Sequence, residues 1–163
     1  MSNKKILVVF YSKTSTTKKV AECISRELNC DIEEIVDLKK RTGIIGYVKC
    51  LVDALLKRKT PIKACIYDPE NYDIVVLGSP VWASHITPAL KAYITKNNSK
   101  FKKIAYFCTQ LSNCYKSFKI SDEIERFSRN KPIGRLKVSR EDIKNKEFLK
   151  KIEIFKVEIL NSL

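Results

Sequence analysis

Strand-like apolar runs alternate with helical patterns along the whole chain, and this alternation restricts the fold more than any other feature. "KILVVFY" (5–11), "YDIVVLGS" (72–79) and "KIAYFCT" (103–109) are nearly unbroken apolar runs. "DIEEIVDL" (31–38) and "IGRLKVS" (133–139) have strand character but carry charges. Between them lie helical spacings: Val20, Ile24 and Leu28; Tyr47, Leu51 and Leu55, ending near Pro61; a segment from Pro88 to Thr95; a further helix around 116–128. Ser139-x-x-Asp142 reads as a capping box ahead of a stripe of Phe148, Ile152, Phe155 and Ile159. Strand–helix repetition of this kind predicts an α/β, doubly wound five-stranded parallel sheet with helices on both faces, built as a single domain over 1–163. Strands buried on both faces must be apolar throughout, whereas edge strands tolerate charge. The first, third and fourth strands are therefore central, and the expected order is 2-1-3-4-5.

In such sheets ligands bind at the carboxyl ends of the central strands, near the switch between strands 1 and 3. The end of strand 1 is unusual. Ser12, Thr14, Ser15, Thr16 and Thr17 crowd hydroxyls into the turn before the first helix, with Lys13 and Lys18 beside them. One such side chain suffices to cap a helix; five exceed that need. The first amides of a helix lack intrahelical partners and carry partial positive charge, so a hydroxyl-rich loop folded over them suits a phosphate. Other phosphate folds do not match. The spacing G-x-x-x-x-G-K-[ST] is absent, and so is G-x-G-x-x-G. A receiver domain needs carboxylates at the ends of strands 1 and 3, where Tyr11-Ser12 and Gly78-Ser79 stand. A small tyrosine phosphatase needs a cysteine opening the first loop.

"SKTSTT" (12–17) resembles the phosphate loop of flavodoxins, S-x-T-G-x-T: Ser12, Thr14 and Thr17 match its hydroxyls, and Ser15 replaces its glycine. "DIVVLGSPVWASHITPAL" (73–90) resembles the second loop of flavodoxin-like proteins, which borders the flavin ring. Tyr47 to Leu55 is similar to the helix 2 region of small members, so the resemblance runs from Lys4 to about Thr109. It implies a flavodoxin-like fold with FMN as cofactor. In that frame Ser12–Thr17 hold the phosphate, and Ser79, Pro80, Val81, Trp82 and Ala83 run past the isoalloxazine. Trp82 suits a stack on a planar, electron-poor ring, although a lone Trp is also a common core residue. The third loop, "CTQLSNCYKSF" (108–118), has no glycine. It offers Thr109 and Gln110 as hydrogen-bonding groups and Tyr115 as an aromatic. His85 reads as a surface or packing residue ahead of a proton donor or substrate contact, and Cys108 and Cys114 as small hydrophobes ahead of reactive thiols.

Net charge is +14, and residues 96–151 hold 16 basic and 6 acidic side chains. Such a face suits an acidic partner, or else keeps the protein soluble. Nucleic acid is not expected, since no aromatic–basic stripe or recognition motif appears. No run is apolar and long enough for a membrane span. The six cysteines show no C-x-x-C spacing, and Met1 leads straight into a strand; reduced thiols and a cytoplasmic location are expected. The resulting expectation is a redox protein transferring electrons through bound FMN, more a carrier for an acidic redox partner protein than an enzyme. The alternative is a flavodoxin-fold binding module that has lost FMN and uses its basic surface on an acidic partner.

Overall fold

The computed structural model describes residues 4–38, 60–111 and 118–162. The elements are β1 (Ile6–Phe10), α1 (Thr16–Leu28), β2 (Asp31–Glu34), β3 (Ile74–Pro80), α2 (Pro88–Asn97), β4 (Lys103–Gln110), α3 (Phe118–Ser128), β5 (Arg135–Ser139), α4 (Arg140–Lys144) and α5 (Glu147–Asn161). The expected helix through Tyr47, Leu51 and Leu55 lies outside the described residues, as do Cys50, Cys114 and Tyr115.

All five strands pair in parallel in the order β2-β1-β3-β4-β5, as the distribution of charge required. Strand alternation then divides the core in two. Leu7 and Val9 of β1 face α2 and α3 through Leu90, Tyr93, Ile94, Ile120 and Ile124. Ile6, Val8 and Phe10 face α1 and α5 through Val20, Ile24, Phe148, Ile152, Phe155 and Ile159. Each buried Leu, Ile or Phe contributes ~1.5–3 kcal/mol, and a one-residue slip would exchange the faces, so the register is strongly held. Gly78 meets a packing demand of its own: a Cβ there would collide with the Phe107 ring on β4 and lie 2.8 Å from Phe10 Cβ.

Two boundaries differ from expectation. The second strand stops at Glu34, and Asp37 instead makes an antiparallel bridge to Ile62. The segment after Thr60 covers that edge; the carboxylate of Glu33 accepts from the amides of Ile66 (2.6 Å) and Tyr67 (3.1 Å). At the other end the capping box and the helical stripe fall on separate helices. α4 carries the capping box, with Ser139 accepting from the Asp142 amide and Asp142 from the Ser139 amide. The chain then turns at Lys146, at φ 59°, before α5 begins. No helix among the described residues is long and apolar enough to cross a membrane.

Candidate functional site

The parallel register brings four loops to one end of the sheet. Pro80 lies beside Thr109, and Gln110 beside Ser139, so the residues that follow β3, β4 and β5 are neighbours. Together with the loop after β1 they enclose a cleft of about 410 Å³, lined by Lys13, Thr14, Thr16, Pro80, Val81, Trp82, Thr109, Gln110, Leu111 and Arg140. That volume falls within the usual range for small-ligand sites.

The first wall is the hydroxyl loop. Ser15 precedes α1 with φ 61°, a left-handed conformation, and its side chain makes no capping hydrogen bond. This is the position at which the flavodoxin pattern has glycine, and the backbone there keeps the conformation that favours glycine. The amides of Thr16 and Thr17 at the helix start have no intrahelical acceptor. Thr14 and Thr16 place their hydroxyl oxygens 3.5 Å apart on the cleft wall. The other hydroxyls of the loop have different tasks. Ser12 Oγ accepts from the Lys18 amide at 3.2 Å. Thr17, 2 % exposed, turns inward and hydrogen-bonds Thr109 Oγ1 at 2.8 Å, tying the first loop to the end of β4. Lys18 pairs with Glu34, and Lys13, not Lys18, lines the cleft.

The second wall follows β3. Ser79 is buried behind the cleft: its hydroxyl donates to Pro80 O, accepts from the Thr87 amide at 3.2 Å and meets Thr87 Oγ1. Trp82 lines the cleft while only 7 % exposed, packs edge-on against Tyr11 and has Lys13 Nζ 5.9 Å from its ring centroid. It is thus both core and cleft wall. Trp82 and His85 exchange both backbone hydrogen bonds across a two-residue turn, with Ala83 at φ 48° and Ser84 at φ 65°. Positive φ at both positions is the pattern of a type I′ turn, usually built with Asn or Gly. Ala83 therefore forms the turn and does not line the cleft. Glu123 of α3, 6 % exposed, holds this turn, with His85 Nδ1 2.9 Å from one carboxylate oxygen and the Ile86 amide donating to the other at 3.0 Å.

The third wall is the end of β4. Thr109 and Gln110 both reach the cleft. Cys108 is buried beneath them, and burial pushes its thiol up to about 12, so it is not a thiolate at neutral pH. Three contributors escaped the sequence reading: Leu111, Arg140 and Glu123. Arg140 follows a strand end, which is where cleft residues are sought in this architecture. Glu123 had no such signal, because its partners lie 38 and 37 residues away.

The cleft fits FMN on chemical grounds. Uncapped helix amides, two hydroxyls and a lysine stand at one side for a phosphate. Pro80, Val81, Trp82 and Leu111 offer apolar surface for a ring, with Thr109 and Gln110 for its polar edge.

Solved structures share this architecture. The flavoprotein in complex with FMN from Lactobacillus acidophilus NCFM is similar with a TM-score of 0.70 and 20 % identity, over 87 % of this chain and 97 % of that one. The apo-form of the flavoprotein from the same organism gives a TM-score of 0.65 and 24 % identity, over 86 % and 96 %. Oxidised flavodoxin 2 from Bacillus cereus gives 0.59 and 16 %, over 98 % and 99 %. No curated protein matches significantly in sequence. The fold is thus that of flavodoxin-like proteins. A family model described as NADPH-dependent FMN reductase matches residues 5–107, and the chain belongs to that family. FMN is the cofactor this membership brings.

Proposed function

We propose that this protein is a redox flavoprotein in which FMN occupies the cleft between the loops after β1, β3, β4 and β5. The observation that carries this reading is the junction of a helix start whose Ser15 side chain makes no cap with a Trp-walled cleft at the switch point of the sheet. The amides of Thr16 and Thr17, the hydroxyls of Thr14 and Thr16 and the ammonium of Lys13 would bind the phosphate. Pro80, Val81 and Trp82 would cover the ring and exclude water from it, while Thr109 and Gln110 would orient its polar edge. Glu123, through His85 and Ile86, keeps the Trp82 turn in place. Bound FMN supplies the electron chemistry; the chain supplies position and electrostatics.

Two uses of such a flavin are compatible with the residues. The basic surface supports exchange with an acidic redox partner protein. The family description supports a reductase fed by a nicotinamide donor. We favour a small-molecule reductase, because a second cavity of about 620 Å³ adjoins the cleft at Leu111 and Arg140. The decisive test is spectroscopic. The purified protein, or protein reconstituted with FMN, should show a flavin spectrum that bleaches with dithionite and returns in air. Bound flavin should be weakly fluorescent, since a nearby indole quenches flavin by electron donation, and Trp82→Ala should restore the emission. A protein that takes up no FMN would overturn this reading in favour of a cofactor-free binding module.

A further inference from the structure

We propose that the cavity beyond Arg140 is a subsite for an aromatic anion, and that Arg140 and Lys144 select the charge of the redox substrate. The proposal rests on the FMN reading above and goes on to name a substrate class.

The cavity is lined by Leu111, Arg140, Glu141, Ile143, Lys144 and Asn145. Leu111 and Arg140 also line the flavin cleft, so the two spaces adjoin at these side chains. Leu111 is 78 % exposed and lines both spaces. Ile143 adds a second apolar group. The cations are unspent: among the described residues neither Arg140 nor Lys144 makes an ion pair, whereas Lys18, Lys100, Lys102, Lys151 and Lys156 all do. Among the described lining residues Glu141 is the one carboxylate. With Lys13 across the cleft, cations still outnumber it.

This combination has a clear chemical preference. A planar ring can lie over Leu111 and Ile143 where the cleft opens. An anionic substituent on that ring then falls between a guanidinium, which offers a planar fork of donors, and an ammonium. A neutral ring loses both charge-assisted contacts, and a cationic one meets repulsion. Both cations are set on α4, whose position is fixed by the capping box and by the ion pair of Lys151 with Asp142 at 2.7 Å. An aromatic acid and a nucleotide phosphate present the same recognition chemistry to these two cations.

The test is calorimetric titration of the FMN-loaded protein with naphthalene-2-sulfonate and with its neutral isostere naphthalene-2-sulfonamide, at low salt. FMN content is recorded by absorbance in the same samples, so failure to hold flavin is distinguished from failure of the subsite. The sulfonate should bind about tenfold more tightly than the sulfonamide. Lys144→Gln should reduce that preference without altering FMN content, and Arg140→Gln should abolish it. A second titration compares adenosine 2′,5′-bisphosphate with AMP. A preference for the bisphosphate that vanishes in Arg140→Gln identifies the anion as a nucleotide phosphate; a response to the sulfonate alone identifies an aromatic acid. Equal binding of sulfonate and sulfonamide would overturn the proposal. So would a preference that survives both substitutions, or release of FMN by the sulfonate, which would put the anion on the phosphate loop instead.

Discussion

At the scale of single residues, the hydroxyl loop divides its labour in a way that composition conceals. Thr14 and Thr16 face the cleft, while the Thr17 hydroxyl is already engaged with Thr109. Loss of phosphate affinity should therefore follow Thr14. Thr14→Ala is expected to weaken FMN binding by ~1.5–3 kcal/mol, roughly tenfold to a hundredfold, and to leave riboflavin binding unchanged. Fluorescence titration with both flavins measures this; equal losses for the two would remove Thr14 from the phosphate site. Ser15 gives a second expectation. Its φ of 61° is unfavourable for any residue with a Cβ, and its side chain caps nothing. Ser15→Gly should raise stability by about 1 kcal/mol, seen as a higher urea midpoint with unchanged slope. A lower midpoint would mean that the Ser15 side chain supports the loop.

At the scale of elements, α4 is a short connector whose position depends on Asp142. Burial works against the charge of this carboxyl, but hydrogen bonds from Lys151 and from Ser139 outweigh it and hold its pKa below the ordinary aspartate value. As pH falls, the unfolded chain takes up this proton first. The contribution to stability is therefore present above the ordinary aspartate range and is lost as pH drops through the lowered folded value. Asp142→Asn should cost about 1 kcal/mol or more at neutral pH, and the gap from wild type should narrow below about pH 4. Thermal melts across that range measure the gap; a constant difference would show that the cap acts without its charge.

At the scale of the whole molecule, the net charge of +14 bears on the flavin. Full reduction adds negative charge to the ring at neutral pH, and a basic surface favours that change. The effect is long-range and screened, with a Debye length of ~10 Å at 0.1 M salt. The midpoint potential of the bound flavin should fall modestly as ionic strength rises, which a spectroscopic redox titration at two salt concentrations tests. A potential that rises or stays constant would leave local contacts at Trp82, Thr109 and Gln110 in control.

The sheet order was legible in the sequence, because strands covered on both faces must be apolar throughout and edge strands need not be. The end of the sheet at which the cleft lies was legible too, since topology places it and a cluster of hydroxyls marks it. The break between the capping box and the helical stripe was hidden, because Lys146 carries no signal of its left-handed turn. The roles of particular side chains depended on distance in space rather than in sequence. Ser79 is spent on Thr87, Thr17 on Thr109, and Glu123 reaches the Trp82 turn from α3. Arg140 enters the cleft only because Gln110 and Ser139 are paired across β4 and β5. Local patterning determined which segments would be strands, because burial depends on composition along the segment; the tertiary structure decided which polar groups remain available, because a hydroxyl or carboxylate serves whichever partner the packing brings within hydrogen-bond distance.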